Sequence, residues 1–303
     1  MKGTLYVIAT PIGNLDDFSY RAIETLNSLD LIAVEDTRKS IILLNKYNIK
    51  KPLFSNHKFN ELSKVKFFID KLLNGNNVGL MSDAGMPCIS DPGYILVNEA
   101  IKNNINVTCI PGANAVLSSV ALSGFNALSF SFLGFLPREK KELTSLFNKL
   151  LEDKLNNIFV FYESPKRILK TIKILADDYN FFSLCLCNDL TKKFERIYRG
   201  MPSSVLNELE NNEASEKGEY ALVINTNTEN KEKGNINSPC NNFSIEALLV
   251  DYLIKNKNET LKTAIKEINK THKNLSKNSI YEASLNLKKR KCQIFSVKVK
   301  SIR

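Results

Sequence analysis

Residues 78–93 have the sequence VGLMSDAGMPCISDPG, in which a short apolar run leads directly into a loop of glycine, proline and aspartate. An unbroken apolar run of this length is typical of a strand that is buried on both faces of a parallel sheet. Glycine in the loop lets backbone groups approach a ligand closely, and Asp83 and Asp91 supply hydrogen-bond acceptors. A single loop of this kind is equally well explained as a tight turn with capping aspartates.

Two further loops have the same character. Residues 9–17, ATPIGNLDD, begin where the apolar run 4–9 ends, and residues 110–115, IPGANA, follow the run 106–110. The carboxyl ends of parallel strands meet at one edge of an open α/β sheet, which is where such sheets bind ligands. Three such loops therefore predict a ligand site at that edge.

Short apolar runs alternate with helical patterns along most of the chain, which predicts α/β layers with largely parallel sheets. The predicted strands lie at 4–9, 30–34, 77–81, 106–110, 130–134, 157–161, 182–187 and 219–225. The predicted helices lie at 19–28, 37–47, 60–74, 92–103, 113–123, 139–152, 164–176 and 202–210.

Two breaks divide the chain. Polar residues follow an apolar run near 134–140, and residues 226–242, TNTENKEKGNINSPCNN, contain almost no large apolar side chain. After the second break, apolar residues recur at helical spacing, as in a small helix-turn-helix bundle. We therefore predict α/β domains at 1–135 and 136–226, a linker at 227–243 and a basic helical domain at 244–303.

The positive charge is concentrated at the C-terminal end. Residues 244–303 carry 14 Lys and Arg against 5 Asp and Glu, a net charge of +9 out of the +10 of the whole chain. A nearly neutral body with a basic appendage predicts a polyanionic partner that the appendage contacts. A lysine-rich tail that is merely solvated is the alternative.

Several function classes are excluded by missing patterns. The chain has neither the phosphate-binding GxxxxGK[ST] motif nor a GxGxxG motif after a strand, which argues against a P-loop NTPase and an ordinary Rossmann dehydrogenase. Six cysteines without a CxxC pair and only two histidines predict no metal site. Cys185 and Cys187 share one strand face and are expected to pack as small hydrophobes. No secretory signal is visible after Met1, so a cytoplasmic location is expected.

Specific motifs add a family resemblance. The chain resembles the ribosomal RNA small subunit methyltransferase I family of the tetrapyrrole-methylase class in the stretches LYVIATPIGNLDD, VEDTRKS, SDAGMPCISDPG, PGANA, GFLPR, FYESPKR, LTKKFE and KGEYALVI. These stretches occur in the family's order between residue 4 and about residue 224. LKTAIKEI and LSKNSIYEASLNLKK resemble the family's appended helix-turn-helix-like domain.

The resemblance implies a class III methyltransferase fold with two α/β domains and S-adenosylmethionine bound in the cleft between them. It implies methyl transfer to the ribose 2′-hydroxyl of a cytidine in the decoding region of 16S rRNA, within the small ribosomal subunit. It also implies a homodimer, with no metal and no membrane partner. By position, the implied cofactor contacts are Pro11, Ile12, Asp83, Met86, Asn114, Ala115, Tyr162, Leu186, Cys187 and Ala221.

Transfer to a ribose hydroxyl needs in-line geometry and the removal of one proton. Asp36 and Glu163 are the two candidate proton acceptors, and the sequence leaves the choice between them open. For each of these polar residues an ordinary ion pair or helix cap is the alternative. The predicted RNA contacts are Arg38, His57, Arg167 and Lys192.

Two other functions compete with rRNA methylation. One is a small-molecule methylase for a porphyrin or corrin ring, and the other is a DNA-binding regulator built on the C-terminal helices. The loop ATPIGNLDD differs from the glycine-rich loop of the small-molecule enzymes, and a basic tail has no evident use with a small ring. The dense loop motifs of the body argue against a regulator.

Overall fold

The computed structural model describes residues 1–153, 157–227, 245–256 and 260–271, and residues 279–287 without 282 and 286. The predicted linker lies outside the described residues except for residue 227. The chain forms two compact units, Met1–Asn230 and Lys231–Arg303, and the first unit contains two five-stranded sheets.

The first sheet is entirely parallel, with the strand order β3-β2-β4-β1-β5. Successive side chains of a strand alternate between the faces, so Val7 packs toward Phe68 while Ile8 packs toward Leu26. The sheet confirms the predicted α/β class. Its elements are β1 (Thr4–Ile8), α1 (Tyr20–Ser28), β2 (Leu31–Val34), α2 (Thr37–Lys46), β3 (Leu53–Ser55), α3 (Glu61–Leu73), β4 (Val78–Met81), α4 (Tyr94–Lys102) and β5 (Asn106–Ile110).

The second sheet has the order β6-β7-β10-β8-β9, and only β6 and β7 run parallel. The prediction of largely parallel sheets is wrong here. The physical reason is that β10 enters antiparallel between β7 and β8, and a central strand is buried on both faces whichever way it runs. The elements are α5 (Ala115–Ser123), β6 (Ser131–Phe135), α6 (Lys140–Glu152), β7 (Ile158–Glu163), α7 (Pro165–Asp178), β8 (Ser183–Asn188), β9 (Arg196–Gly200), α8 (Pro202–Glu210) and β10 (Tyr220–Asn225).

Two elements that precede residue 136, strand β6 and helix α5, are associated with the second sheet. Strand β6 is hydrogen-bonded to β7, and α5 packs through Val116 on Val160 and Cys185 of the sheet's inner face. The opposite face is covered by α6, α7 and α8 through side chains such as Phe147 and Val205. The last strand of the first sheet along the chain is therefore β5, and α5 connects the first sheet to the second.

The C-terminal unit is helical in its described part. Helices α9 (Ile245–Lys255) and α10 (Leu261–Thr271) are followed by helical residues in 279–287. Leu249, Ala264 and Ile280 form a small apolar core. None of the described helices combines the length and the hydropathy that a membrane crossing requires.

Candidate active site

A cavity of about 420 Å³ lies between the strand ends of the two sheets. We call it the inter-sheet cavity, and its size falls in the range of roughly 300–1,000 Å³ found for small-molecule sites. One wall is formed by Ile12, Ala84, Gly85, Met86, Ile89, Ser90, Asp91, Asn114 and Ala115. The other wall is formed by Phe135, Tyr162, Glu163, Ser164, Pro165, Cys187, Leu190, Glu219, Tyr220 and Ala221.

The first two loops of the parallel sheet are joined by backbone hydrogen bonds. The Thr10 N–H donates to the Gly85 carbonyl over 2.9 Å, and the Gly85 N–H donates to the Thr10 carbonyl over 3.1 Å. Gly85 has φ +80°, and a Cβ there would lie 3.3 Å from Ile12 Cγ2. The close approach of the two loops therefore depends on glycine at this position.

The opposite wall is built from neighbouring positions of three strands. Ala221 of β10 pairs with Tyr162 of β7 on one side and with Cys187 of β8 on the other, so the three side chains share one face. The Tyr162 ring packs on Phe132 and Phe135, with centroid distances of 5.0 and 5.5 Å. Burial raises the pKa of Tyr162 to about 12, so its hydroxyl is protonated at neutral pH.

Seven of the ten predicted cofactor contacts line the inter-sheet cavity, and Pro11, Asp83 and Leu186 do not. Pro11 is buried behind Ile12. Leu186 points to the other face of the second sheet and packs in its core, because it lies one residue from Cys187 and strand side chains alternate. The seven that line the cavity are Ile12, Met86, Asn114, Ala115, Tyr162, Cys187 and Ala221.

Asp83 faces a different pocket. Its carboxylate accepts hydrogen bonds from the Asp36 N–H over 3.1 Å and from Lys39 Nζ over 2.8 Å, which ties the loop after β4 to the loop after β2. The pocket beside it, here called the second pocket, has a volume of about 390 Å³. The second pocket is lined by Glu35, Asp36, Thr37, Arg38, Ser55, His57, Phe59 and Asp83.

Asp36 is poorly suited to accept a proton. It caps α2, and both of its carboxylate oxygens accept hydrogen bonds from the Arg38 side chain, over 3.0 and 2.7 Å. This hydrogen bonding lowers the pKa of Asp36 to about 2. A carboxylate that is stabilised in this way is a weak base, so the geometry argues against Asp36 as the proton acceptor.

Glu163 is occupied by structural partners. One carboxylate oxygen accepts the Ser164 N–H over 2.6 Å, the other accepts the Thr171 hydroxyl over 2.8 Å, and Arg167 forms an ion pair with it. The Glu163 side chain has no accessible surface. A carboxylate with these partners is poorly placed to accept a proton, so the geometry argues against Glu163 as the proton acceptor.

Two of the four predicted RNA contacts, Arg167 and Lys192, also have hydrogen-bond partners within the protein. Arg167 donates to the carbonyls of Pro137 and Leu136 over 3.1 and 3.2 Å, which fixes the segment after β6. Lys192 donates to Asp189 over 2.7 Å and to Glu219 over 3.0 Å. Both cations are thus neutralised by the protein itself, which argues against a role in clamping phosphates.

The other two predicted RNA contacts lie together at the second pocket. The Arg38 side chain is 88% accessible, although it is paired with Asp36. His57 accepts the Phe59 N–H at Nδ1 over 3.2 Å, and the Phe59 ring beside it is almost fully exposed. Arg38 and His57 therefore stay predicted RNA contacts, with Phe59 as an added apolar surface.

Asp91 is the residue that the sequence argument placed in a ligand loop without giving it a catalytic role. It lines the inter-sheet cavity, whereas Asp83 of the same loop points to the second pocket. Burial raises the pKa of Asp91 to about 6, and the negative charge of Glu35 contributes to the shift. The signal in the sequence was the pair of aspartates, but their spacing did not indicate which of them faces the cavity.

Comparison with known proteins identifies close relatives. The family Tetrapyrrole (Corrin/Porphyrin) Methylases matches residues 4–204. A protein of Halalkalibacterium halodurans named "Ribosomal RNA small subunit methyltransferase I" is 43% identical, over 76% of this chain and 78% of its own length. A protein of the same name from Bacillus subtilis is 37% identical, over 93% of this chain and 94% of its own length.

Solved structures share the fold at low identity. Diphthine synthase matches with a TM-score of 0.56 and 14% identity, over 73% of this chain and 89% of its own. The uroporphyrin-III C-methyltransferase of Thermus thermophilus, complexed with S-adenosylhomocysteine, matches with a TM-score of 0.50 and 14% identity, over 74% and 97%. Sequence and fold agree: the chain belongs to the ribosomal RNA small subunit methyltransferase I family, within the tetrapyrrole methylases.

Proposed function

We propose that this protein transfers a methyl group from S-adenosylmethionine to the ribose 2′-hydroxyl of a cytidine in the decoding region of 16S rRNA. The observation that carries the proposal is the inter-sheet cavity, where seven residues implied by the family resemblance come together. The relatives that align with most of this chain at 43% and 37% sequence identity are named ribosomal RNA small subunit methyltransferase I. The small-molecule alternative is less supported, because its representatives share only the fold.

The cavity fits S-adenosylmethionine in size and chemistry. Ile12, Ala115 and Ala221 present apolar surface, and Asn114 and Ser90 add polar groups, a mixture that is usual for a small-molecule site. Gly85 keeps the loop wall close, since a side chain there would fill space beside Ile12. S-adenosylmethionine supplies a methyl group that its sulfonium already makes electrophilic, so the protein needs no metal to activate it.

The residues of the chain then have three tasks. The walls exclude water, and the joined loops hold the donor in one orientation, so that a ribose oxygen approaches in line. Tyr162 remains neutral and shapes the second wall through its contacts with Phe132 and Phe135.

A nucleotide must leave its stack to reach the cavity, which costs a few kcal/mol. Contacts to flanking RNA at the second pocket offset part of that cost.

The proposed reaction leaves one methylated ribose, which gives a direct test. Small subunits that lack the modification are incubated with the protein and S-adenosylmethionine, and nuclease fragments of the 16S rRNA are weighed by mass spectrometry. We expect one methyl group on a cytidine, and resistance to alkaline cleavage at that linkage because the methylated oxygen no longer attacks its phosphate. Subunits incubated without the protein are the control. A methyl group on a base, or unchanged rRNA with a methylated porphyrin-like compound, contradicts the proposal.

The basic C-terminal segment is proposed to add RNA affinity without taking part in the chemistry. Deletion of the chain from residue 228 onward removes the net +9 of residues 244–303. We expect weaker rRNA binding and a shallower salt dependence, since each lost phosphate contact makes the slope of log K against log salt less steep by roughly 0.7 to 0.9. Filter binding at several salt concentrations measures both quantities.

Two controls separate charge from folding in this deletion. Affinity for S-adenosylmethionine, measured by calorimetry, should be unchanged because the inter-sheet cavity lies in the first unit. A full-length variant with alanine at residues 288–291, KKRK, should reproduce part of the lower slope. An unchanged slope in the deletion variant would show that the segment is only solvated.

Assembly and location complete the proposal. We propose that the protein acts as a homodimer in the cytoplasm, where its ribosomal substrate is found. The family resemblance supports the dimer, and the ribosomal substrate supports the location.

A further inference from the structure

Three carboxyl-bearing residues line the inter-sheet cavity, and two of them are committed to partners. Glu163 is buried against Arg167 and Thr171. Glu219 is 74% accessible and is paired with Lys192 over 3.0 Å. Within the described part of the chain, Asp91 forms no ion pair with a lysine, arginine or histidine. Asp91 therefore presents the cavity carboxylate that no cation among the described residues neutralises.

The backbone around Asp91 is held in an unusual shape. Cys88 and Ser90 both have left-handed φ angles, of 69° and 65°, which cost non-glycine residues free energy. Behind the loop, the buried Glu61 accepts the N–H groups of Gly93 over 2.8 Å and of Ile95 over 3.0 Å. These two hydrogen bonds fix the loop on the C-terminal side of Asp91. Strain that is maintained at a ligand cavity points to a requirement for the placement of a particular side chain.

We propose that Asp91 is the catalytic proton acceptor for methyl transfer. This inference rests on the function proposed above. As the ribose 2′ oxygen forms its bond to the methyl carbon, the carbon–sulfur bond of the donor breaks and its electron pair stays on sulfur. The hydroxyl proton passes to an Asp91 carboxylate oxygen, and the neutral carboxylic acid then releases it to water. Charge therefore balances without a further reactant.

The surroundings of Asp91 suit this task. Glu35 after β2 and Asp83 of the same loop place negative charge near it and raise its pKa, while the nearby Ser82 side chain partly opposes their effect. The weakly acidic groups near it, Tyr162 and Cys88, are both neutral, since burial raises the pKa of each, to about 12 and about 11. Glu61 and Lys39 are further charged groups in contact with this loop, Glu61 through the Gly93 and Ile95 N–H groups and Lys39 through Asp83.

Burial raises the pKa of Asp91 to about 6, which makes it a stronger base than an exposed aspartate while it stays largely ionised at neutral pH. The reactive form is the carboxylate, so the rate should fall as the pH drops through about 6.

The test uses Asp91→Asn, which keeps the shape and removes the base. On small subunits we expect kcat to fall by roughly 100- to 10,000-fold, the usual contribution of a general base. Calorimetry should show S-adenosylmethionine affinity close to that of the wild type. Asp91→Glu keeps a carboxylate and should retain part of the rate. Asp70→Asn, an exposed aspartate of α3 outside both pockets, is the matched control and should be fully active.

Two pH measurements separate a base from a structural aspartate. The wild-type rate should show an acidic limb near pH 6 that is absent from the residual rate of Asp91→Asn. Carbon-13 NMR of aspartate carboxyl groups should show one resonance that titrates near pH 6 and is missing in the variant.

The outcomes are distinct. An active wild type with an equally active Asp91→Asn variant overturns the base assignment alone. Loss of S-adenosylmethionine binding in Asp91→Asn makes the residue a donor ligand and overturns the assignment as well. A wild type that is inactive on small subunits overturns the proposed function and the assignment together.

Discussion

Replacement of Glu163 by glutamine is expected to lower the free energy of unfolding by about 3 kcal/mol, the lower end of the cost of breaking a buried ion pair. The lower end applies because Arg167 keeps 26% of its side-chain surface accessible, so water partly solvates the charge that is left unpaired. Glutamine also offers only one acceptor oxygen where Ser164 and Thr171 each donate to one. Urea denaturation followed by circular dichroism measures the change.

An exposed ion pair gives the matched control. Glu99 accepts Lys102 over 2.7 Å at the surface of α4, so Glu99→Gln should change stability by about 0.5 kcal/mol or less. Glu163→Gln should keep its methyl-transfer rate at temperatures where it is folded. A variant with full stability and a rate reduced by 100-fold or more would instead return Glu163 to the list of reacting groups.

The sheet edge that carries the inter-sheet cavity was predictable from sequence because its signal is local. Glycine and proline interrupt the chain where strands end, and the geometry of a parallel sheet then brings the ends together. The loops at 9–17, 82–93 and 110–115 all contribute to the inter-sheet cavity as this argument requires. The periodic patterns also located the helices to within a few residues of their observed ends.

The direction of a central strand was not predictable, because parallel and antiparallel central strands are buried to the same extent. The side chains of β10 are buried along nearly the whole strand, as they would be in a parallel sheet, and the antiparallel pairing with β7 and β8 depends on the path of the chain. Strand β9 was missed because it is an edge strand that is largely exposed, and β3 because it has only three residues.

The choice among carboxylates stayed open in the sequence for a related reason. Arg167 lies four residues after Glu163, but Glu163 ends β7, and Arg167 is held by the carbonyls of Leu136 and Pro137, which are distant in the sequence. Asp83 and Asp91 are equivalent in the sequence. The contacts of Asp83 with Lys39 and with the Asp36 N–H distinguish them, since Asp83 then lines the second pocket while Asp91 lines the inter-sheet cavity.

Gly85→Val should lower the affinity for S-adenosylmethionine on the order of 100-fold, equivalent to about 2.7 kcal/mol. At φ +80° a β-branched residue is strained, and its Cβ would lie 3.3 Å from Ile12 Cγ2 in a loop that lines the inter-sheet cavity. The loop must shift to relieve both effects, and that shift disturbs its paired hydrogen bonds with Thr10. Calorimetric titration with S-adenosylmethionine measures the loss.

Gly124→Val is the matched control for this substitution. Gly124 ends α5 with φ +72°, and a Cβ there would meet nothing within 4 Å. Both variants therefore carry a similar backbone penalty of about 1–2 kcal/mol in stability, but only Gly85→Val crowds the cavity. Equal losses of affinity in the two variants would show a general effect of destabilisation. Unchanged affinity in Gly85→Val would mean that the donor binds elsewhere, because the joined loops leave no room for the added methyl groups without moving the wall.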